Sequence, residues 1–321
     1  MHTQAVATPF GPLASSSTFP NGSPATTTFS YGAFDTLLTV TDAAGNTVTQ
    51  TFDVLGRRTS ILDKDTGTQT STYDAFDEVA TSLDANGVTT LLTYDALGRL
   101  VSRVAPDGTD TFTFDTAPHG IGKLRSMARA ANRTDYAYDA LSRPASETWT
   151  LDGAPYAYAY TYDAQSRLSS IAYPAAPSGP RFVTDRVYDS AGYLSAVRDV
   201  SVPATPKAIW LANAADAVGH ATQETLGNGL ITTHAYEPGT GRLSRVTTPG
   251  VHDMAYAYFP NGNLQQRTDY RNIVGSGVAT RTETFTYDGA NRLTSATVAG
   301  RTPATYSYTY DVLGNLLSAD D

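Results

Sequence analysis

The residues that could do chemistry in this 321-residue chain are mostly aspartate, arginine and tyrosine. The five histidines (His2, His119, His220, His234, His252) are scattered, with no pair at the spacings that hold zinc. There is no cysteine, so thiol nucleophiles and disulfides are excluded. No Gly-x-Ser-x-Gly elbow and no phosphate-binding Gly-rich loop is present. "DKDTG" (Asp63–Gly67) opens like a calcium loop but lacks the later bidentate Glu, and reads as a turn. Acidic residues are plentiful, but they fill turns, so a glycosidase-type carboxylate pair does not stand out. The pattern that does recur is a carboxylate four residues before a guanidinium: Asp95 and Arg99, Asp163 and Arg167, Asp288 and Arg292. Its expected chemistry is structural pairing across a turn. The sequence therefore predicts no catalytic activity, no bound metal and no cofactor.

These pairs sit in a repeat. Thirteen units are marked by Tyr31, Phe52, Tyr73, Tyr94, Phe114, Tyr138, Tyr162, Tyr188, Ala215, Tyr236, Tyr258, Tyr287 and Tyr310. The first three steps are 21 residues each, and later steps run from 20 to 29. Before each marker, aromatics alternate with Thr, Ser or Ala, as in "YAYAYTY" (Tyr156–Tyr162) and "YSYTY" (Tyr306–Tyr310). Period two with aromatic and β-branched residues reads as a strand with two different faces.

After the marker comes Asp-x-x-Gly. The Asp side chain accepts hydrogen bonds from backbone two residues on. The Gly position calls for positive φ. Gly56, Gly98, Gly192, Gly219, Gly262 and Gly314 suit it, as do Asn291, Asp35 and Asp77. Arg and Leu follow, as in Arg99-Leu100, and a second turn closes the unit. Thirteen such units predict on the order of 26 strands in an antiparallel hairpin meander. The best helix candidate is "GKLRSMARAANR" (Gly122–Arg133).

The units "YDALGRL", "YDAQSRL", "YDGANRL" and "YDVLGNL" resemble those of the Rhs/YD-repeat family, across residues 19–321, with 1–18 read as a poorly structured lead. That family includes bacterial Rhs polymorphic toxins, shell subunits of insecticidal toxin complexes and the YD-shell of teneurins. The resemblance implies an all-β fold: a long antiparallel meander forming a coiled single-layer sheet, here part of a β-shell or cocoon. The motif residues it marks as structural are Tyr73, Asp74, Tyr94, Asp95, Gly98, Arg99, Leu100, Tyr162, Asp163, Arg167, Tyr287, Asp288, Arg292, Tyr310, Asp311 and Gly314.

The function implied is a structural shell segment that encloses and helps deliver a toxin or effector. The alternative is an extracellular adhesion or carbohydrate-binding module, for which glycans would be the partners. Family toxin shells end in an Asp-Pro-x-Gly boundary before the effector, and no Asp-Pro dipeptide occurs here, so the chain is expected to be a piece of a shell. Its expected partners are the remainder of the shell or a second copy, and an enclosed effector. Free edges are expected near Thr26–Tyr31 and Thr305–Tyr310. The net charge of -9 argues against nucleic acid, and no apolar run is long enough to span a membrane. The family implies a secreted or cell-surface protein. No signal peptide is seen, so the export route is not encoded in this stretch.

Overall fold

The computed structural model describes residues 3–7, 12–18, 24–176, 178–274, 277–300 and 302–320. They form 28 strands in one antiparallel sheet, and the only helical element among them is a single 3-10 turn at Ala33–Asp35. The pairings run between strands consecutive in the chain. The all-β meander read from the repeats is the fold. Each of the thirteen units supplies two strands, and the remaining two, Thr3–Ala7 and Leu13–Thr18, fall in the stretch expected to be a poorly structured lead. There "LASSST" pairs with Ala25–Tyr31, and the Tyr31 hydroxyl donates to the Leu13 carbonyl at 2.8 Å.

One open reading is settled and one expectation is corrected. The helix candidate at Gly122–Arg133 is a hairpin: strand Leu124–Arg129 turns through Ala130 and Ala131 into strand Asn132–Tyr138. Period-two alternation wins because both sides offer partners. Asp110 sits opposite Arg129 on the preceding strand and accepts its Nε at 2.5 Å. The free edges also lie further out than expected. Among the described residues, Thr3–Ala7 pairs only with Leu13–Thr18, and Leu316–Asp320 pairs only with Ala304–Tyr310.

The chain divides into two compact units, one of residues Thr70–Ile231 and one of Met1–Gln69 with Thr232–Asp321. Each is a single layer, so little is fully buried. Ala117, Ser126, Thr184 and Ala196 are buried in the first; Thr232, Thr248, Thr268, Glu283, Ala296 and Val298 in the second. No side chain is completely enclosed among the described residues. Alternation does the sorting. In Ala304–Tyr310 the tyrosines are half-buried and Thr305, Ser307 and Thr309 are exposed. On the exposed face, hydroxyls meet across strands, as Thr72 with Thr81 at 2.6 Å and Thr309 with Ser318 at 2.7 Å. Among the described residues no helix is long and apolar enough to cross a membrane.

Candidate functional site

The repeated Tyr-Asp-x-x-Gly-Arg-Leu segment is the structure's most constant local geometry. Tyr94 ends strand Thr89–Tyr94, with a register shift just before it, and faces Leu100 across the turn. The Asp95 carboxylate then accepts from the backbone N–H of Leu97 and of Arg99, at 2.9 and 3.1 Å. The Gly98 N–H donates to the Asp95 carbonyl, and Gly98 lies at φ +74. Glycine is favoured there by conformation, since a residue with a Cβ adopts this φ only under strain. Ser142, Ser166, Asp77 and Asn291 hold the same left-handed position at φ 58, 63, 67 and 62.

The other oxygen of the same carboxylate accepts from the motif's arginine. Arg99 Nε donates to Asp95 Oδ2 at 2.7 Å, and the distance is the same for Arg167 to Asp163 and Arg292 to Asp288. The side-chain hydrogen bond from Arg99 holds the Asp95 carboxyl below the usual carboxylate range, against the opposing effect of burial. Asp311 has Asn315 in the arginine's place, with Nδ2 donating to Oδ2 at 2.8 Å, and Gly314 lies at φ +100. In the degenerate unit at Ala215, Asp216 Oδ2 meets His220 Nδ1 at 2.8 Å, so the turn survives loss of both aromatic and arginine. After Tyr73, Asp74 caps its turn through the N–H groups of Phe76 and Glu78. There a carboxylate replaces the guanidinium, and burial first, then the Asp74 charge, pushes the Glu78 carboxyl up.

What the spacing did not disclose is that each motif also grips its neighbour. The Tyr94 hydroxyl donates to the Val79 carbonyl at 3.1 Å, Tyr162 to Pro144 at 2.8 Å and Tyr188 to Leu168 at 2.9 Å. In the other unit Tyr287 donates to Leu264 at 3.0 Å and Tyr310 to Leu293 at 2.9 Å. The acceptor is the residue at the motif's Leu position, one hairpin back. The same arginine that pairs with its own Asp lies over the following aromatic ring: Arg143 over Tyr162 at 4.3 Å, Arg167 over Tyr188 at 4.1 Å, Arg292 over Tyr310 at 4.8 Å. Where the next marker is Phe114, which has no hydroxyl, Arg99 covers its ring at 4.4 Å and forks onto Asp115 at 2.6 and 3.1 Å instead. The signal in the sequence was the preference for Tyr over Phe at the marker.

Residues 73–110 match the family model described as RHS Repeat. No curated protein matches this chain. Among solved structures, the crystal structure of TcdB2-TccC3 without its hypervariable C-terminal region superposes with a TM-score of 0.81 at 20% identity, over 96% of this chain and 18% of that one. The Photorhabdus luminescens Tc holotoxin pore superposes with a TM-score of 0.79 at 20% identity, over 97% of this chain and 18% of that one. The chain thus has the fold of a segment of these structures and spans less than a fifth of their length.

One more feature of the repeat was legible but overlooked. The third residue of the turn is often apolar and stands in solvent: Phe76 is 84%, Leu97 75% and Leu141 67% exposed. Neighbouring turns on one edge are two strands apart, about 10 Å. Among the described residues no group of three or more His, Cys, Asp or Glu side chains could hold a metal ion.

Proposed function

We propose that this Rhs-repeat chain is a wall segment of a shell that encloses a toxin or effector and helps deliver it from a secreting cell, and that it has no catalysis of its own. The repeat and the fold support the role as structural shell material. The enclosure of a cargo is the further step, and the observation that carries it is the fold likeness over nearly the whole chain to structures containing TcdB2-TccC3. The clamp geometry supports the reading, because every polar contact in it ties one hairpin to itself or to the next. Such a device builds a wall of any length. The row of apolar turn tips supports it too, since more ribbon of the same repeat spacing is what would cover them.

The test uses the longest reading frame that contains this chain. Limited proteolysis of the native protein should leave a protected fragment outside the repeats, digested only after the sheet is unfolded. Digestion of every non-repeat segment at the same rate before and after unfolding would overturn the enclosure. A glycan array probed with the chain serves the adhesion reading, and strong selective signal there with no protected fragment would put that reading in its place.

A further inference from the structure

Three strands of the unit Thr70–Ile231 carry an aromatic face with a carboxylate set into it. They are Asn132–Tyr138, Pro144–Leu151 and Ala154–Tyr162. Their register aligns Tyr136 with Glu147 and Glu147 with Tyr158, so the three share one face, and Tyr160 follows two residues on. An open cavity of about 300 Å³ lies here, lined by Tyr136, Pro144, Glu147, Tyr160, Tyr162 and Leu168. Glu147 is held in position from both sides: Trp149 Nε1 donates to its Oε1, and the Tyr160 hydroxyl to its Oε2 at 3.2 Å. Trp149 in turn packs on Tyr158, ring centroids 5.2 Å apart.

We propose that this cavity is a binding site for a trimethylammonium group. The aromatic rings of Tyr136, Tyr160 and Tyr162 line the cavity, Arg143 covering one face of Tyr162, and a fixed carboxylate supplies the net charge. A lysine ammonium is compact and strongly hydrated, and would lose much of its water in a mostly apolar pocket. A methylated ammonium spreads the same charge over an apolar surface and loses less. Two neighbouring arginines do not oppose the cation as free charges. Arg143 is paired with Asp139 at 2.6 Å, and Arg125 lies 3.6 Å from Asp135 and donates to the Tyr136 carbonyl. Burial first, and then Glu147, raises the Tyr160 phenol to about 12, so the ring stays neutral and keeps its bond to the carboxylate at ordinary pH. The site is independent of the shell reading and would stand if that reading failed.

The experiment is calorimetric titration of the whole chain with choline, paralleled by the fluorescence of a Trp210→Phe variant in which Trp149 is the one tryptophan, and with 3,3-dimethylbutan-1-ol as the uncharged isostere. Choline should bind saturably and the isostere at least about tenfold more weakly. A second arm compares a short peptide carrying trimethyl-lysine with its unmodified lysine twin. Preference for the peptide over choline assigns the site to a polypeptide, and the reverse assigns it to a small free ligand. Glu147→Gln, which keeps the side chain's shape, should weaken choline about tenfold, whereas Tyr160→Phe, which keeps the ring, should stay within about threefold. Equal binding of the isostere, an unchanged Glu147→Gln, or no saturation by either methylated ligand overturns the proposal. Should Glu147→Gln not fold, as judged by circular dichroism, the choline-against-isostere comparison on the unaltered chain still decides.

Discussion

The hairpin at Ala130 and Ala131 offers a clean test of how this sheet is held. Arg129 pairs with Asn132, so the loop is two residues long, and Ala130 sits at φ +50 while Ala131 lies outside the left-handed region. For an L-residue with a Cβ, the left-handed conformation costs about 1–2 kcal/mol. Replacing Ala130 with Gly removes that strain and adds back about 0.4–1 kcal/mol of unfolded-chain entropy. Ala130→Gly should therefore stabilise the protein by about 0.5–1 kcal/mol. Ala131→Gly gains only the entropy cost and should destabilise by about 0.5–1 kcal/mol. The matched pair changes the same residue type in the same loop, so composition and exposure are controlled. Urea unfolding followed by far-UV circular dichroism and by tryptophan fluorescence reads the result, with the midpoint rising for one and falling for the other at unchanged slope. Destabilisation by both substitutions alike would refute the argument that backbone strain, rather than chain entropy, dominates at this turn.

Other outcomes follow from the clamp. Tyr138→Phe removes the hydroxyl that donates to the Leu124 carbonyl at 2.7 Å and should cost about 0.5–1.5 kcal/mol in the same urea assay; no change in midpoint would show that water replaces the bond at no cost. Asp288→Ala should lower the midpoint more than Asp53→Ala, because the Asp288 side chain is 5% exposed and that of Asp53 21%; the opposite ranking would show that burial does not set the value of the turn aspartate. Stability should fall at both ends of the pH scale. Asp95 and Asp139 are held below the usual range by side-chain hydrogen bonds from Arg99 and Arg143, so their contribution is complete above an unfolded value near 3.8 and is lost as pH falls through the lower folded values. Tyr160, pushed up to about 12 by burial and then by Glu147, favours the protonated folded form, so stability drops as pH rises from the unfolded value of 10.0 toward 12; a midpoint flat or rising across that interval would contradict it. Leu97→Ser at an exposed turn tip should leave the midpoint unchanged and reduce self-association in light scattering, and a fall in midpoint would mean the tip is packed within the fold.

Much of this protein is written in its repeat. The strands, the turns and the left-handed position at Gly98 follow from interactions that close within seven residues. An aspartate caps its own turn, and alternation sorts tyrosine from threonine. Local interactions of that range are fully specified by neighbouring letters, which is why the thirteen units could be marked from spacing alone. Two stretches were ambiguous as local patterns. Gly122–Arg133 could serve either period until Asp110 and Thr150 offered partners on the two sides, through Arg129 and Arg133. The first eighteen residues lack a marker of their own, and their strands are defined by pairing with Ala25–Tyr31. What only the tertiary structure decided is which unit touches which. The tyrosine hydroxyl reaches the carbonyl one hairpin back, and the arginine lies over the ring one hairpin on. The pocket around Glu147 exists because three strands bring Tyr136, Glu147 and Tyr160 to one face. Those contacts depend on register and on the distance between strands, quantities set by the paired backbone of the whole sheet and absent from any single repeat.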